Sequence, residues 1–282
     1  MQSKVFLFVA IQFFIYSADA QHARVKTITR LPKNINESSG LVSNGDGTLW
    51  THNDSGDKAQ IYKIDTSGKL LQTLYLQGVT AIDFEDITLD KKGNLYVCDC
   101  GNNQNQRKNL CIYIISATQL SASNDTVRPA TIHFNYSDQS EFPPPKIKRN
   151  FDCEGLVLFH DSIFLFSKNR GASVYCKEYV LPATPGTFTA HLIDSVKTKR
   201  WITSAAISPD THTLILLSEN MVNLFTGFSG SHFFHGSHTI RHLPITQKEG
   251  VTFKTNTEIY LSDEVFRGFG GKLYSLSLKN IK

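Results

Sequence analysis

The chain has 282 residues, 40% of them apolar and 19% charged, and 29 basic against 25 acidic side chains leave a net charge of +4. That apolar content supports a real core and excludes a disordered chain. The positive charge is spread out, its tightest cluster being Lys146, Lys148 and Arg149. No aromatic residues interleave that cluster, which excludes a nucleic-acid groove.

Residues 1–20 carry a secretory signal pattern. Lys4 precedes an apolar run from Val5 to Tyr16, and Ser17-Ala-Asp-Ala20 places small residues where a signal peptidase cuts. The run is about a dozen residues, short of the roughly 20 that cross a bilayer. No later stretch is long and apolar enough either, so no transmembrane segment is expected. The chain reads as secreted, or periplasmic and exposed in the cell envelope. Residues 21–282 read as a single mature domain.

That mature part opens on one alternating strand, Val25–Arg30, before Leu31-Pro32. Helical periodicity is absent beyond it. Short runs of Val, Ile, Leu, Phe and Tyr alternate with Gly, Asn, Asp and Ser, the signature of an all-β chain.

The runs fall into a repeat. Its openings are Glu37-Ser-Ser-Gly-Leu41, Asp83-Phe-Glu-Asp-Ile87, Asp152-Cys-Glu-Gly-Leu156, Thr203-Ser-Ala-Ala-Ile207 and Gln247-Lys-Glu-Gly-Val251. A turn and a second strand follow each: Leu49–Asn53, Leu95–Asp99, Ile163–Ser167, Leu214–Ser218 and Ile259–Asp263. A third strand carries an aromatic, at Tyr62, Tyr113, Tyr175, Phe225 and Tyr274. A fourth occurs at Leu71–Leu76, Ala130–Phe134, Phe188–Ile193 and Thr239–Leu243, and the last unit has none.

The spare strand Val25–Arg30 supplies what the last unit lacks. The expected fold is therefore a five-bladed β-propeller, its ring closed by an N-terminal strand. The widest interval between openings contains the Pro-rich, charged segment Glu141-Phe-Pro-Pro-Pro-Lys-Ile-Lys-Arg149, read as an inserted loop near residues 137–150.

First strands of propeller blades line the axis, and the start of strand one lies on the same rim as the end of strand two. The repeat thus places Ser39, Glu85, Glu154, Ala205 and Glu249 in one ring, with Asn53, Asp99, Ser167, Ser218 and Asp263 in a second. Carboxylates converging on an axis repel one another and lose water, so something must offset them. Backbone N–H groups at each turn would do so, and so would a cation. An all-oxygen set suits Ca²⁺ or Mg²⁺. The candidate metal ligands are Glu85, Glu154, Glu249, Asp99 and Asp263.

The candidate ligand-binding rim comprises Asn53, Asp54, Asn102, Asn103, Lys168, Arg170 and Glu219, a mixed-sign surface fitting a polar small molecule, a glycan or a protein. Gly-x-Ser-x-Gly, His-Glu-x-x-His and phosphate-binding glycine patterns are absent, so no catalytic residue can be named. Five cysteines cannot all pair; Cys100 with Cys153 and Cys111 with Cys176 are candidate disulfides.

Several of these motifs resemble a group of uncharacterised secreted β-propeller proteins, mostly bacterial. They are Asn53-Asp-Ser-Gly56, Ile61-Tyr-Lys-Ile-Asp65, Asp83-Phe-Glu-Asp-Ile87, Asp99-Cys-Gly-Asn-Asn103 with Arg107, Ile112-Tyr113, Phe134-Asn-Tyr-Ser-Asp138 and Asp152-Cys-Glu-Gly-Leu156. The resemblance extends to about Tyr175 and implies a propeller without an assigned reaction. A more distant resemblance, to calcium-activated nucleotidases and lactonase-like propellers, implies an acidic central site holding a divalent cation. Two readings follow: a ligand- or protein-binding module, or a divalent-cation-dependent hydrolase of an ester, lactone or phosphoanhydride.

Overall fold

A computed structural model describes residues 25–279, and the proposed signal segment lies outside them. Among the described residues the only α-helix has five residues, and no helix is long and apolar enough to cross a membrane. Strand β1 (Lys26–Arg30) leads into a meander of β2 (Ser38–Ser43), β3 (Thr48–Asn53), β4 (Gln60–Asp65) and β5 (Leu70–Leu76). The second meander is β6 (Phe84–Leu89), β7 (Leu95–Asp99), β8 (Leu110–Ile115) and, after helix α1 (Ala117–Ser121) and β9 (Thr126–Val127), β10 (Ala130–Tyr136). The third is β11 (Asp152–Phe159), β12 (Ser162–Lys168), β13 (Tyr175–Pro182) and β14 (Gly186–Lys197). The fourth is β15 (Ser204–Ile207), β16 (Thr213–Ser218), β17 (Met221–Thr226) and β18 (Ser237–His242). The last is β19 (Lys248–Thr255), β20 (Glu258–Asp263) and β21 (Lys272–Ser277).

Local chemistry sets the hairpins. Between β6 and β7, Asp90 accepts the N–H groups of Lys92 and Asn94 at 2.8 Å each, and Gly93 supplies the positive φ that closes the turn. The last meander takes β1 as its outer strand, antiparallel to β21, with Lys26 opposite Ser275 and Arg30 opposite Lys272. The N-terminal strand thus covers an edge that β21 would otherwise expose.

Inner strands contact in a closed cycle: β2 on β6, β6 on β11, β11 on β15, β15 on β19, and β19 on β2. Each contact between successive meanders has its own apolar cluster. Trp50 and Ile61 meet Phe84 and Val97 between the first two, and Tyr62 and Ile64 meet Tyr260 and Leu273 between the last and the first. The architecture is all-β and propeller-like.

Two features depart from the repeat. Outer strands of neighbouring meanders also pair in parallel, β10 with β14 and β9 with β5, so the second and third meanders share one eight-stranded sheet. Helix α1 begins at a capping box in which Ser116 and Gln119 satisfy each other's backbone N–H groups. The third-strand aromatic of the third meander also needs correction. Tyr175 is exposed at the start of β13, and the buried ring is Tyr179. Residues 137–151 join β10 to β11 with only the short turn Lys146–Lys148 between them.

Candidate functional site

The first residues of β6, β11 and β19 bring Glu85, Glu154 and Glu249 to one rim, beside Ser39, whose hydroxyl donates to Glu249 at 3.3 Å. Around them stand Asp54, Asp83, Asp152 and Glu264. Their carboxylate oxygens form three overlapping groups: Asp54–Asp83–Glu85, Glu85–Asp152–Glu154 and Asp54–Glu249–Glu264. Within each, the oxygens lie within 4.8 Å of one another. Asp54 and Glu85 are the shared corners.

Among the described residues, direct ion pairs within the cluster are confined to Asp152 and Glu154. Lys168 lies 2.9 Å from Glu154, and Arg170 binds Asp152 at 2.5 Å and Glu154 at 3.1 Å. Against burial, which lowers it, the charges of Glu154 and Glu249 hold the Lys168 ammonium above the usual lysine range. Among the described residues, no Lys or Arg pairs with Asp54, Asp83 or Glu85. Burial pushes Glu85 well above the ordinary carboxylate range, with the charge of Glu154 adding to it. Burial, then Asp54 and Asp152, pushes Asp83 up to about 7. Burial, then Glu249, pushes Glu264 up to about 9. Glu154 Oε2 and Glu264 Oε1 are buried without a hydrogen-bond partner.

The backbone is shaped to this cluster. Gly101 sits so close beneath Glu85 and Asp83 that a Cβ there would collide with both carboxylates. Asn103 donates to Asp83 at 3.5 Å.

Asp99 and Asp263 do not join the cluster. Asp99 accepts the N–H groups of Ile82 and Asp83 and pairs with Arg107 at 2.8 Å. Asp263 accepts the N–H of Lys272 and the hydroxyl of Tyr274. Both are turn-capping groups at strand ends, and their oxygens are already occupied.

The rim residues divide similarly. Asn53 accepts from the Glu37 N–H and donates to Asn34 and Asp57, while Asn102 binds Phe151, Arg107 and Asp152, so both are buried struts. Lys168 is buried against Glu154 and not presented to a ligand. Asp54 belongs to the acidic cluster, and Arg170 bridges that cluster to Trp201. Asn103 stays on the rim, and Glu219 lines a neighbouring cavity. His52 is a neutral core group, its Nδ1 3.0 Å from the Asn53 carbonyl.

At two second-ring positions the following residue joins the carboxylate groups, Asp54 after Asn53 and Glu264 after Asp263. Side chains alternate faces along a strand, so when Asn53, Asp99 and Asp263 turn inward to cap backbone, the following residues, Asp54, Cys100 and Glu264, change side. Glu264 is the cluster member that the repeat did not single out. Its signal is its place directly after Asp263, matching Asp54 after Asn53. Asp86, in the β6 opening, is fully buried. It accepts hydrogen bonds from Leu156 N–H at 2.8 Å, Ala205 N–H at 3.1 Å, Ile87 N–H at 3.0 Å and the Ser204 hydroxyl at 3.1 Å. One carboxylate beneath the acidic cluster thus ties three meanders together.

The disulfide pairing also differs. Cys98 bonds to Cys100, their Cα atoms 5.2 Å apart, and Cys111, Cys153 and Cys176 are buried thiols. Residues two apart along a strand share a face, which brings these two sulfurs together. The Cys153 sulfur lies within 4.8 Å of both but remains a thiol. Cys111 and Cys176 sit in different apolar clusters, the first between meanders one and two, the second between three and four, too far apart in the fold to pair.

No family model matches the chain, and no curated protein matches it. Solved structures do show similarity. A provisionally named gluconolactonase aligns at 10% identity over 86% of this chain and 74% of its own, with a TM-score of 0.49. A gluconolactonase from Xanthomonas campestris aligns at 10% identity over 92% and 87%, with a TM-score of 0.48. The WD40 repeats of RRP9 align at 9% identity over 86% and 67%, with a TM-score of 0.44. Likeness at this level assigns no activity to the chain.

Proposed function

We propose that the five meanders are the blades of a five-bladed propeller exported by residues 1–20, and that its axial acidic cluster binds a hard divalent cation, Ca²⁺ in preference to Mg²⁺. The bound ion, ringed by polar loops, serves a binding module for an oxygen-rich ligand. The observation that carries this reading is the Asp54–Asp83–Glu85 group: three carboxylates with oxygens within 4.8 Å and no Lys or Arg paired to them among the described residues.

The donor set fits the ion. Oxygens bound to one Ca²⁺ at about 2.3–2.6 Å lie no more than about 5 Å apart, a condition each group meets. Ca²⁺ tolerates irregular geometry, whereas Mg²⁺ demands a near-ideal octahedron, and carboxylates from separate blades are irregular donors. Burying this many carboxyls beside two cations leaves negative charge to be offset by protons or by metal. The raised positions of Glu85, Asp83 and Glu264 indicate that protons do so when metal is absent. A cation then displaces those protons, so its affinity rises with pH.

Calorimetry on metal-stripped protein tests the reading. Ca²⁺ should bind with heat that varies with the buffer's ionisation enthalpy, and Glu85→Gln should remove binding, while Mg²⁺ binds more weakly. No heat, no thermal shift and no effect of chelation would remove the cation and leave a metal-free binding module. The hydrolase reading is separated by turnover. Hydrolysis of an ester, lactone or phosphoanhydride by the Ca²⁺-loaded protein, lost in Glu85→Gln at unchanged melting temperature, would replace the binding module.

A further inference from the structure

On the same rim, between the third and fourth meanders, a cavity of about 450 Å³ opens beside Trp201. Its lining includes Lys199, Arg200 and Trp201 before β15, and Glu219 and Asn220 between β16 and β17. Trp201 is 52% exposed, whereas Trp50, the chain's other tryptophan, is 1% exposed. An indole left in water forgoes the burial that normally rewards so large an apolar surface.

The ring is held in place. The Arg170 guanidinium carbon lies 5.2 Å from its centroid, and the same guanidinium is fixed by Asp152 and Glu154. The platform is therefore ordered by the acidic cluster without being covered by it. Around it, Glu219 is an acceptor and Asn220 both donor and acceptor. Lys199 and Arg200 stand exposed, and no ion pair engages either among the described residues.

A fixed indole beside a carboxylate and an amide matches a sugar ring, which offers an apolar C–H face and equatorial hydroxyls. The two unpaired cations select a sugar with one negative charge. Glu219 in the same lining disfavours a doubly charged phosphate. We propose that this cavity is a binding site for an anionic saccharide, a uronate-bearing glycan. Its ring stacks on Trp201, its carboxylate meets Lys199 and Arg200, and its hydroxyls meet Glu219 and Asn220. The site goes beyond the cation reading and does not require the ion.

The test uses the full mature chain in the presence of a chelator. Trigalacturonate, neutral galactotriose and adenosine 5′-phosphate are titrated, followed by Trp201 emission and by calorimetry. Trigalacturonate should shift the emission and shield it from iodide quenching. Trp201→Ala should weaken that binding by at least about tenfold, and Trp201→Phe should restore most of it. Lys199→Ala with Arg200→Ala should erase the preference for trigalacturonate over galactotriose at unchanged melting temperature. Absence of saccharide binding, binding indifferent to Trp201→Ala, or tighter binding of adenosine 5′-phosphate would overturn the proposal. Because the chelator removes Ca²⁺, these outcomes are read independently of the ion, and loss of Ca²⁺ binding leaves them unaffected.

Discussion

Replacing Asp86 is expected to loosen the ring more than replacing any acid of the rim above it. Its two oxygens divide four donors: Leu156 and Ala205 N–H on Oδ2, Ile87 N–H and the Ser204 hydroxyl on Oδ1. The residue is fully buried, so no solvent replaces a lost acceptor. A buried donor left unpaired costs about 1–3 kcal/mol. In Asp86→Ala the Leu156 and Ala205 N–H groups alone should therefore cost about 2–6 kcal/mol, a large part of the roughly 5–15 kcal/mol that stabilises a domain. Asp86→Asn should cost less. Its amide can replace Oδ1 and donate to the Ser204 oxygen, which orphans only the Ile87 N–H, and as a neutral group it escapes the burial that holds the Asp86 carboxyl well above the usual carboxylate range. Urea unfolding of the three proteins should find Ala the least stable, below both wild type and Asn. An Ala variant within about 0.5 kcal/mol of wild type would refute the view that this carboxylate ties the inner strands together.

Thiol titration of the denatured, unreduced chain should find three free cysteines, Cys111, Cys153 and Cys176; a single thiol would mean a second disulfide. Glu178 on β13 has both carboxyl oxygens buried without partners, and burial, with Asp194 opposite, pushes its pKa up to about 8. A carboxyl raised on folding carries no penalty below its unfolded value near 4.5, and the penalty grows by about 1.4 kcal/mol per pH unit until about pH 8. Glu178→Gln should thus equal wild type in stability at pH 4 and exceed it at pH 9, and identical pH profiles would contradict the assignment. Removing residues 25–31 should expose the β21 edge and take Leu31 from its cluster. Light scattering should then show aggregation, and a soluble truncated chain with an unchanged unfolding midpoint would argue against closure by β1.

The strands were legible because each is a short apolar run between turn formers. The reading of Leu95–Asp99 coincides with β7, and the spare strand pairs where the incomplete last unit requires. The first ring was legible for the same reason, since Glu85, Glu154 and Glu249 hold one place in the repeat. The second ring was not, because its register depends on whether a strand's last residue caps backbone or faces the axis. Hydrogen bonds made far along the chain decide that: Asp99 with Arg107, Asp263 with Tyr274. Periodicity carries no trace of them. The same limit applies to Asp86, whose partners Leu156 and Ala205 lie in other meanders. Tyr175 and Tyr179 were indistinguishable by pattern, being four apart in one strand and so on one face; only the packing of Tyr136 against Tyr179 settles which is buried. The Cys98–Cys100 bond joins two residues on one face at the end of β7, which the repeat does not signal because it aligns cysteines by blade and not by strand face.

Whether the axial carboxylates hold a hard cation is read most directly from a crystal structure grown with Ca²⁺ and compared with one grown in chelator. A single calcium peak is expected on the axial rim, with carboxylate oxygens of Glu85 and Asp83 at about 2.3–2.6 Å, and no peak in crystals of Glu85→Gln. Only water among these carboxylates at saturating Ca²⁺, or calcium bound elsewhere on the chain, would contradict it.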